Sequence, residues 1–326
     1  MRKVIAVLAG EPNSISSEII FKTWKKRKKF KLKPFFVIGN LKLLNKQRKI
    51  LKFNIKLKNI NKNFKISELL GEHIPVLDIN YFQPKAFQPI SSHSNKYIFQ
   101  CFKCAIKIIQ DRELLGLITC PISKESLLRN KYNGITEYLS KKTNSRNNEV
   151  MLIYNSLFSV SPITTHIPIR QVSNKLHISN IVKKIIIINQ FYKKKFKLNP
   201  KIGILGLNPH NFSTNKKFSE ENRIIIPSIN FLKLKKIKIA GPIPPDTIFL
   251  AQKKLNLNII VGMYHDQVLA PFKAIHGFKA INVTIGLPFI RTSPDHGVAQ
   301  DIMGKKIADP TSLIEAFQFF NKIKCF

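Results

Sequence analysis

Short apolar runs alternate along this chain with longer segments in which apolar residues recur every three or four positions. The short runs are rich in Val, Ile and Phe, which is typical of buried β-strands, and the longer segments are typical of amphipathic helices. The predicted strands are residues 4–8, 35–38, 115–119, 151–154, 157–160, 201–207, 259–263 and 280–285. The predicted helices are residues 17–28, 97–110, 126–128, 173–197, 222–235 and 311–321. Strands that alternate with helices predict an α/β fold with a largely parallel core.

Residues 262–309 concentrate polar side chains of specialised chemistry between predicted strands. The tract contains His265, Asp266, Lys273, Asn282, Arg291, Asp295 and His296. Gly and Pro separate these residues, which indicates tight turns. Because ligands of α/β sheets bind outside the carboxyl ends of the strands, the tract predicts the active site of an enzyme.

Three of the eight histidines follow short apolar runs that are predicted to be strands. His166, His210 and His265 lie far apart in the sequence and match no local metal-binding pattern such as HExxH. Imidazoles that converge from strand ends would bind a divalent cation and leave one position open for a substrate. The spacing by itself favours the plainer alternative of separate surface or core histidines, so the metal site is a hypothesis at this point.

The composition is strongly basic, because 55 Lys and Arg residues against 18 Asp and Glu give a formal net charge of +37. Such a charge is typical of nucleic-acid-binding proteins. The alternative is a compositional bias toward Lys, Asn and Ile, with lysines on solvated faces. The scatter of Lys through most segments favours this alternative, so no specific nucleic acid is expected as a partner. The 326 residues, of which 44% are hydrophobic, are enough for about two domains.

Cysteine usage and hydropathy predict a cytoplasmic protein that does not enter a membrane. Four cysteines make no disulfide framework, and we interpret Cys101 and Cys104 as two thiols on one helical turn. The apolar run at residues 4–9 is too short for a signal peptide, and no segment approaches the roughly 18 apolar residues of a membrane span. Residues 42–65 are low in complexity and rich in Lys, Asn, Leu and Ile, and we interpret them as a variable surface region.

Six motifs spread over nearly the whole chain carry a resemblance to a known family. They are TCPISK at residues 119–124, YNGITE at 132–137, TTHIP at 164–168, LNPH at 207–210, GPIPPDT at 241–247 and the tract at 262–309. With these motifs the chain resembles the 4-hydroxythreonine-4-phosphate dehydrogenase (PdxA) family of pyridoxal phosphate biosynthesis. The resemblance implies a two-domain α/β fold similar to isocitrate and isopropylmalate dehydrogenases, with an active site in the interdomain cleft. One expected domain joins residues 1–130 to 290–326 and carries the cofactor loop, and the other, residues 131–289, makes metal and dimer contacts.

The resemblance also implies roles for individual residues. His166, His210 and His265 would bind one divalent cation (zinc, magnesium or cobalt), with ligands from both subunits of a homodimer whose active site lies at the subunit interface. Contacts to a phosphorylated small-molecule substrate are implied for Thr136, Lys273, Asn282, Arg291 and the position of Ile135. Arg291 offers a planar fork for an oxyanion, and Lys273 offers a point charge. Asp246 and Asp266 are candidates for supporting the metal ligands or handling protons, although either would serve equally as a turn residue.

The implied reaction is the NAD- or NADP-dependent oxidation of 4-phosphohydroxy-L-threonine to 2-amino-3-oxo-4-phosphooxybutanoate. A bound cation would polarise the alcohol as hydride passes to the nicotinamide. The product is a β-keto acid, which loses CO2 to become 3-amino-2-oxopropyl phosphate.

The cofactor loop has no GxGxxG fingerprint after a strand. Residues 295–305 instead resemble the loop that binds the adenosine part of NAD in folds similar to isocitrate dehydrogenase. We assign His296, Gly297 and Asp301 to cofactor binding on this resemblance. The alternative is a structural turn that leads into the last helix.

The chain departs from the family pattern at several positions. Ile135 stands where the family has a histidine in Gly-His-Thr-Glu, and loss of that polar contact would cost about 1–3 kcal/mol of substrate binding. Ser14, Ser16 and Val268 replace family glycines, and residues 211–213 have lost another. We therefore keep open a dehydrogenase of another 4-phosphorylated hydroxy acid, threonate or erythronate 4-phosphate. A basic nucleic-acid-binding protein is the third hypothesis.

Overall fold

The chain is made of short strands joined by helices. A computed structural model describes residues 3–128, 132, 134–211 and 216–324. Within these residues the strands are β1 (Ile5–Leu8), β2 (Phe35–Gly39), β3 (Leu57–Ile60), β4 (Ile74–Asp78), β5 (Gly116–Thr119), β6 (Val150–Tyr154), β7 (Ser159–Pro162), β8 (Ile202–Leu205), β9 (Ile239–Ile243), β10 (Ile259–Gly262), β11 (Ile281–Ile285) and β12 (Ile290–Pro294). The α-helices are α1 (Ser16–Lys26), α2 (Leu41–Ile50), α3 (Asn95–Arg112), α4 (Lys124–Leu128), α5 (Ile135–Lys142), α6 (Val172–Lys175), α7 (Ile178–Phe191), α8 (Ile226–Leu234), α9 (Pro245–Ala251), α10 (His265–His276) and α11 (Thr311–Lys322). Across the ranges just given, no helix combines the length and the apolar composition needed to cross a membrane.

The chain folds into two compact units. Unit 1 comprises Met1–Ile135 and Pro288–Phe326, and unit 2 comprises Thr136–Leu287. Each unit has its own set of paired strands and its own buried apolar residues.

Unit 1 is built on a parallel sheet. Its strands are ordered β3-β4-β2-β1-β5-β12, and each neighbouring pair is parallel. Phe35 of β2 packs against helices, with ring centroids 5.1 Å from Trp24 of α1 and 4.5 Å from Phe317 of α11. Burial of these apolar helix faces against the sheet is the main favourable contribution to folding. The predicted parallel α/β core is confirmed in this unit.

Unit 2 is built on a mixed sheet with the strand order β11-β6-β7-β10-β8-β9. The pairs β11–β6 and β6–β7 are antiparallel, whereas β7–β10, β10–β8 and β8–β9 are parallel. Phe158, Leu205 and Phe272 belong to the core packed on this sheet, and the rings of Phe158 and Phe272 meet edge to face at 5.2 Å. Because β7, β10 and β8 are parallel neighbours, their carboxyl ends lie side by side at one edge of the sheet.

The structure differs from the predicted elements in two places. Residues 42–65, which we interpreted as a variable surface region, contain most of α2 and all of β3, and neither element was predicted. Helix α2 buries Leu43, Leu44 and Gln47, and the lysines on its other face obscure this apolar stripe in the sequence. The helix expected at 173–197 is interrupted at Leu176, where the backbone is extended, so α6 is separate, and α7 continues directly into the π-helical turn Tyr192–Phe196.

The interpretation of the CxxC pair is confirmed. Cys101 and Cys104 lie one turn apart on α3, and neither forms a disulfide. Burial raises the pKa of both thiols, which keeps them protonated and unreactive.

Glu11 is a buried carboxyl group in the loop after β1. It is 1% exposed and accepts hydrogen bonds from the Asn13 amide at 3.3 Å and the Ser94 hydroxyl at 3.2 Å. Burial raises the pKa of Glu11, and these hydrogen bonds offset only part of the effect. Glu11 is therefore protonated more readily in the folded state than in the unfolded state.

We expect Glu11→Gln to stabilise the protein at neutral pH. The ordinary pKa of a glutamate carboxyl is 4.5, and folding raises it at Glu11. The contribution of Glu11 to the free energy of unfolding is therefore fully present below pH 4.5 and is lost as the pH rises through the folded-state pKa. Each tenfold difference in the acid dissociation constant between the unfolded and folded states corresponds to a loss of about 1.4 kcal/mol. Glutamine keeps an acceptor oxygen without the charge, so thermal unfolding should show a higher Tm than the wild type at neutral pH and an equal Tm in acid.

The control for this prediction is Glu72→Gln in the same unit. Hydrogen bonds from Lys28 and Arg27 lower the pKa of Glu72, so its neutralisation should bring no gain in Tm at neutral pH. A Tm for Glu11→Gln that stays at or below the wild-type value at neutral pH would contradict the prediction.

Candidate active site

Three neighbouring strands of unit 2 are each followed within a few residues by one candidate histidine. His166 follows β7, His210 follows β8 and His265 follows β10. The strands pair in parallel in the order β7-β10-β8. The structure thus places all three histidines beyond the same edge of the unit 2 sheet.

Two of the three imidazoles lie together. The ring centroids of His166 and His265 are 5.7 Å apart. His210 lies in a tight turn with left-handed backbone, φ 49°, and its side chain is 78% exposed. Among the residues described for this single chain, no three His, Cys, Asp or Glu side chains are grouped closely enough to hold a metal ion.

Each candidate histidine has a carboxylate on the Nδ1 side of its ring. The Nδ1-to-oxygen distances are 2.8 Å from His265 to Asp266, 3.7 Å from His166 to Glu137 and 4.0 Å from His210 to Asp246. At 2.8 Å the Asp266 carboxylate hydrogen-bonds Nδ1 of His265 and orients its ring, which leaves Nε2 to bind a cation, and the other two carboxylates lie beside their imidazoles at longer distances. The donor chemistry of the three histidines therefore fits a divalent cation.

Glu137 is a site residue that the sequence analysis did not assign. It lies on α5 in unit 2, and its carboxyl group accepts a hydrogen bond from the Thr165 hydroxyl at 3.4 Å. Burial opposes ionisation of Glu137, but His166 and Thr165 outweigh it and lower the pKa of this carboxyl. The available signal was its place in the YNGITE motif, of which Asn133 lies outside the described residues.

Unit 2 also contains three of the candidate substrate residues. The Thr136 hydroxyl lies 3.1 Å from the Thr284 hydroxyl on β11. Asn282, on the same strand, has a buried Oδ1 atom without a hydrogen-bond partner among the described residues. Lys273 lies on the exposed side of α10, the helix that begins at His265. Because a buried unpaired oxygen is costly, the Asn282 side chain is suited to accept a hydrogen bond from a bound ligand.

Arg291 lies on β12 in unit 1 and is 6% exposed. Its Nε donates to the Thr119 hydroxyl at 2.8 Å, and its Nη2 donates to the same oxygen. Thr119 ends β5, the parallel neighbour of β12. Two of the family motifs therefore meet at this pair, and the Thr119 hydroxyl orients the guanidinium.

The candidate cofactor residues lie in a partly exposed loop of unit 1, in which Gly297 and Asp301 are exposed and His296 is half-buried. His296 Nδ1 is 3.1 Å from the Gly297 carbonyl oxygen, and Asp301 lies in the 3-10 turn Gln300–Ile302. The loop is tied to its own unit by the hydrogen bond from the Ile15 amide to the Val298 carbonyl, 3.2 Å. A Cβ atom at Gly297 would meet no atom of the described residues within 4 Å, so open space surrounds this position.

A family model covers most of this chain. Residues 31–320 match the model of the pyridoxal phosphate biosynthetic protein PdxA. The chain belongs to the PdxA family.

Relatives across this family match the chain over nearly its full length. A 4-hydroxythreonine-4-phosphate dehydrogenase from Sulfurihydrogenibium sp. (strain YO3AOP1) is 37% identical over 317 residues, which is 96% of each chain. A D-threonate 4-phosphate dehydrogenase from Pectobacterium atrosepticum is 33% identical over 326 residues, 98% of each chain. The crystal structure of a 4-hydroxythreonine-4-phosphate dehydrogenase from Klebsiella pneumoniae superposes with a TM-score of 0.85 at 29% identity, covering 98% of each chain. The predicted family and the predicted α/β fold are confirmed. The relatives are named dehydrogenases, which confirms the prediction that this chain is an oxidoreductase.

The serines that replace two PdxA-family glycines are accommodated without backbone strain. Neither Ser14 nor Ser16 has a positive φ. The Ser14 hydroxyl is 2.7 Å from both the Glu11 carbonyl oxygen and the Ser16 hydroxyl. Val268, at a third such position, is fully buried in the core of unit 2. The loop after His210, which has also lost a glycine, continues through residues 212–215, which lie outside the described residues.

Proposed function

We propose that this chain oxidises 4-phosphohydroxy-L-threonine to 2-amino-3-oxo-4-phosphooxybutanoate with NAD or NADP, as a step of pyridoxal phosphate (vitamin B6) biosynthesis. The observation that carries the proposal is the PdxA-family match over residues 31–320. Within that match, three histidines backed by carboxylates follow neighbouring parallel strands. The names of the relatives describe 4-phosphorylated hydroxy acids as substrates, which supports the same substrate class here.

His166, His210 and His265 would hold one divalent cation, zinc, magnesium or cobalt. Because the described residues of one chain do not group three such donors, we propose a homodimer in which histidines of two copies complete the site. When bound, the cation polarises the substrate alcohol and the nicotinamide accepts hydride. The carboxylates beside Nδ1 would keep each imidazole in the orientation that this requires.

The chain's own polar residues would orient the substrate. Arg291, whose guanidinium is oriented by Thr119, would bind two oxygens of the phosphate or carboxylate through its planar fork. Lys273 would add a second positive charge. The buried Oδ1 of Asn282 would accept a hydrogen bond from the substrate amine or hydroxyl, and the Thr136 hydroxyl would contact a polar substrate group.

The oxidised product would then lose its carboxylate. In a β-keto acid, the bond to the carboxylate breaks, its electron pair moves toward the carbonyl group, and CO2 leaves. Protonation of the resulting carbon gives 3-amino-2-oxopropyl phosphate. Asp246 and Asp266, exposed beside His210 and His265, are the side chains that we propose for handling this proton.

The adenosine part of NAD or NADP would bind at the unit 1 loop that contains His296, Gly297 and Asp301. The support for this proposal is the sequence resemblance of residues 295–305, together with the exposure of Gly297 and Asp301. Asp301 would suit a ribose hydroxyl, since a carboxylate accepts hydrogen bonds from two neighbouring hydroxyls.

The residue at position 135 favours an alternative substrate. Ile135 is 5% exposed and stands where the family has a histidine that can donate a hydrogen bond. Threonate and erythronate 4-phosphate carry a hydroxyl group where the threonine derivative carries its amine, so a site with a changed set of hydrogen-bonding groups would suit one of these acids. The similarity to the D-threonate 4-phosphate dehydrogenase of Pectobacterium atrosepticum supports this alternative.

The deciding experiment is to follow NADH and NADPH formation by the purified protein with 4-phosphohydroxy-L-threonine, D-threonate 4-phosphate and D-erythronate 4-phosphate. Each reaction is run before and after chelation and again after the cation is restored. Turnover of the threonine derivative that depends on the cation would support the main proposal, and turnover of only the other acids would favour the alternative. No turnover of any of them by folded, metal-loaded protein would refute both.

We expect Ile135→His to increase kcat/KM for 4-phosphohydroxy-L-threonine by about tenfold or more, because one restored hydrogen bond to a substrate is worth about 1–3 kcal/mol. Ile135→Leu is the matched control, since it changes the shape without adding a donor and should bring no increase. Steady-state kinetics of both variants would check this expectation. A histidine variant no better than the leucine variant would show that position 135 does not limit substrate binding.

A further inference from the structure

Gln267 is a buried polar residue of α10, 8% exposed, that hydrogen-bonds in two directions. Its Oε1 accepts a hydrogen bond from the Met263 amide at 2.7 Å, and its Nε2 donates to the Gly206 carbonyl at 2.8 Å. Met263 lies just before His265, and Gly206 lies just before the loop that carries His210. One carboxamide therefore joins the segments that lead to two of the candidate metal ligands.

The segment before His166 is joined to the same point. Both the amide and the hydroxyl of Thr164 donate to the Met263 carbonyl, at 3.1 Å and 2.7 Å. Because Gln267 accepts from the Met263 amide and Thr164 donates to the Met263 carbonyl, both backbone polar groups of Met263 are hydrogen-bonded. Met263 thus lies at the centre of hydrogen bonds that connect the three histidine segments.

Glycines make room for this connection. A Cβ atom at Gly262 would lie 2.9 Å from Gln267 Oε1 and 2.6 Å from Val268 Cγ1. Cβ atoms essentially never approach other heavy atoms so closely, so a side chain at residue 262 would displace the Gln267 carboxamide or Val268. A Cβ atom at Gly206 would likewise lie 2.2 Å from Asn211 Oδ1.

A buried carboxylate holds the His210 segment from its other side. Glu221, 2% exposed, accepts hydrogen bonds at Oε1 from the amides of Leu207 and Asn208, at 2.8 Å and 2.9 Å. Its Oε2 accepts from the Asn208 side chain at 3.1 Å. The chain between Gly206 and His210 is therefore held between Gln267 and Glu221.

We propose that Gln267 is a positioning residue that sets the placement of the His265 and His210 segments and thereby the affinity of the protein for a divalent cation. The inference rests on the proposed function, in which these histidines bind the cation. Metal sites depend on ligand placement to within fractions of an ångström, so loosening these two segments weakens cation binding, whether both histidines bind one cation or each contributes to a different site of the proposed homodimer. Gln267 touches no reacting atom in this role.

The test is the Kd of Co2+ for the purified full-length chain, measured by the absorption of the bound ion and by competition with a chelator. In Gln267→Met, which keeps the length of the side chain and removes both hydrogen bonds, we expect Co2+ binding to weaken at least about tenfold, as for other residues that support metal ligands. Gln47→Met is the matched control in unit 1. Gln47 is 1% exposed and donates to the Pro12 and Ala86 carbonyls at 2.7 Å and 3.0 Å, so its loss should lower Tm without changing the Co2+ affinity.

The possible results separate this inference from the proposed function. A wild-type chain that binds no Co2+ would overturn the metal site itself, and the inference with it. A wild-type chain that binds Co2+ together with an unchanged Kd in Gln267→Met would overturn only the inference. If Gln267→Met does not fold, Gln267→Asn takes its place, because asparagine keeps the carboxamide but is one methylene too short to make both hydrogen bonds. Unchanged Co2+ affinity in that variant would also overturn the inference.

Discussion

Replacing His265 by alanine is expected to reduce kcat/KM for the preferred phosphorylated substrate by about a thousandfold and to abolish stoichiometric binding of the divalent cation. A cation that polarises the alcohol contributes several kcal/mol to the transition state, and about 1.4 kcal/mol corresponds to a tenfold change in rate. His265 begins α10, contacts the ring of His166 and is oriented by Asp266 at 2.8 Å. The measurement is steady-state kinetics together with the metal content of the purified variant.

The control is His177→Ala in the same unit. His177 is an exposed histidine at the start of α7, and its side chain makes no capping hydrogen bond. We expect this variant to keep the wild-type metal content and kcat/KM. Full activity and full metal content in His265→Ala would show that His265 is not a metal ligand. That result would favour the alternative that the three histidines are separate surface or core residues.

Replacing Arg291 by methionine is expected to reduce kcat/KM by about a hundredfold to a thousandfold. A hydrogen bond to a charged group contributes about 1.5–3 kcal/mol, and the guanidinium can make two to one anionic group. Arg291→Lys should fail to restore activity, because lysine has no planar fork and cannot make both hydrogen bonds to Thr119. Thr119→Val should cost less, since it removes the group that orients Arg291 and leaves the charge in place.

Arg48→Met is the matched control for Arg291 within unit 1. Arg48 is half-buried on α2 and donates from Nη1 to the Phe53 carbonyl at 3.2 Å, so its loss should lower Tm without lowering kcat/KM. The kinetics and the Tm of all four variants decide the matter. Equal losses of kcat/KM in Arg291→Met and Arg48→Met would indicate a general effect of destabilisation and would remove Arg291 from the proposed substrate contacts.

The sequence was most informative where residue spacing reflects local backbone geometry. The short apolar runs at β1, β5 and β10 predicted buried strands, because burial on both faces of a parallel sheet demands continuous apolar residues. Apolar periodicity failed to predict helix α2, because frequent lysines conceal its narrow apolar face. It also missed β3, whose exposed middle residues Lys58 and Asn59 do not read as a buried strand.

The sequence by itself determined the family, the α/β class and the identity of the candidate residues, since short motifs and apolar periodicity are local properties of the chain. Only the tertiary structure decided which residues meet. Strand order places β10 between β7 and β8, so Gln267 reaches Gly206 across 61 positions. It also places β12 beside β5, so Arg291 reaches Thr119 across 172. Glu137 became a partner of His166 in the same way. Such pairs depend on the order and register of strands far apart in the chain, and these are set by the packing of the whole unit, which no local pattern of residues contains.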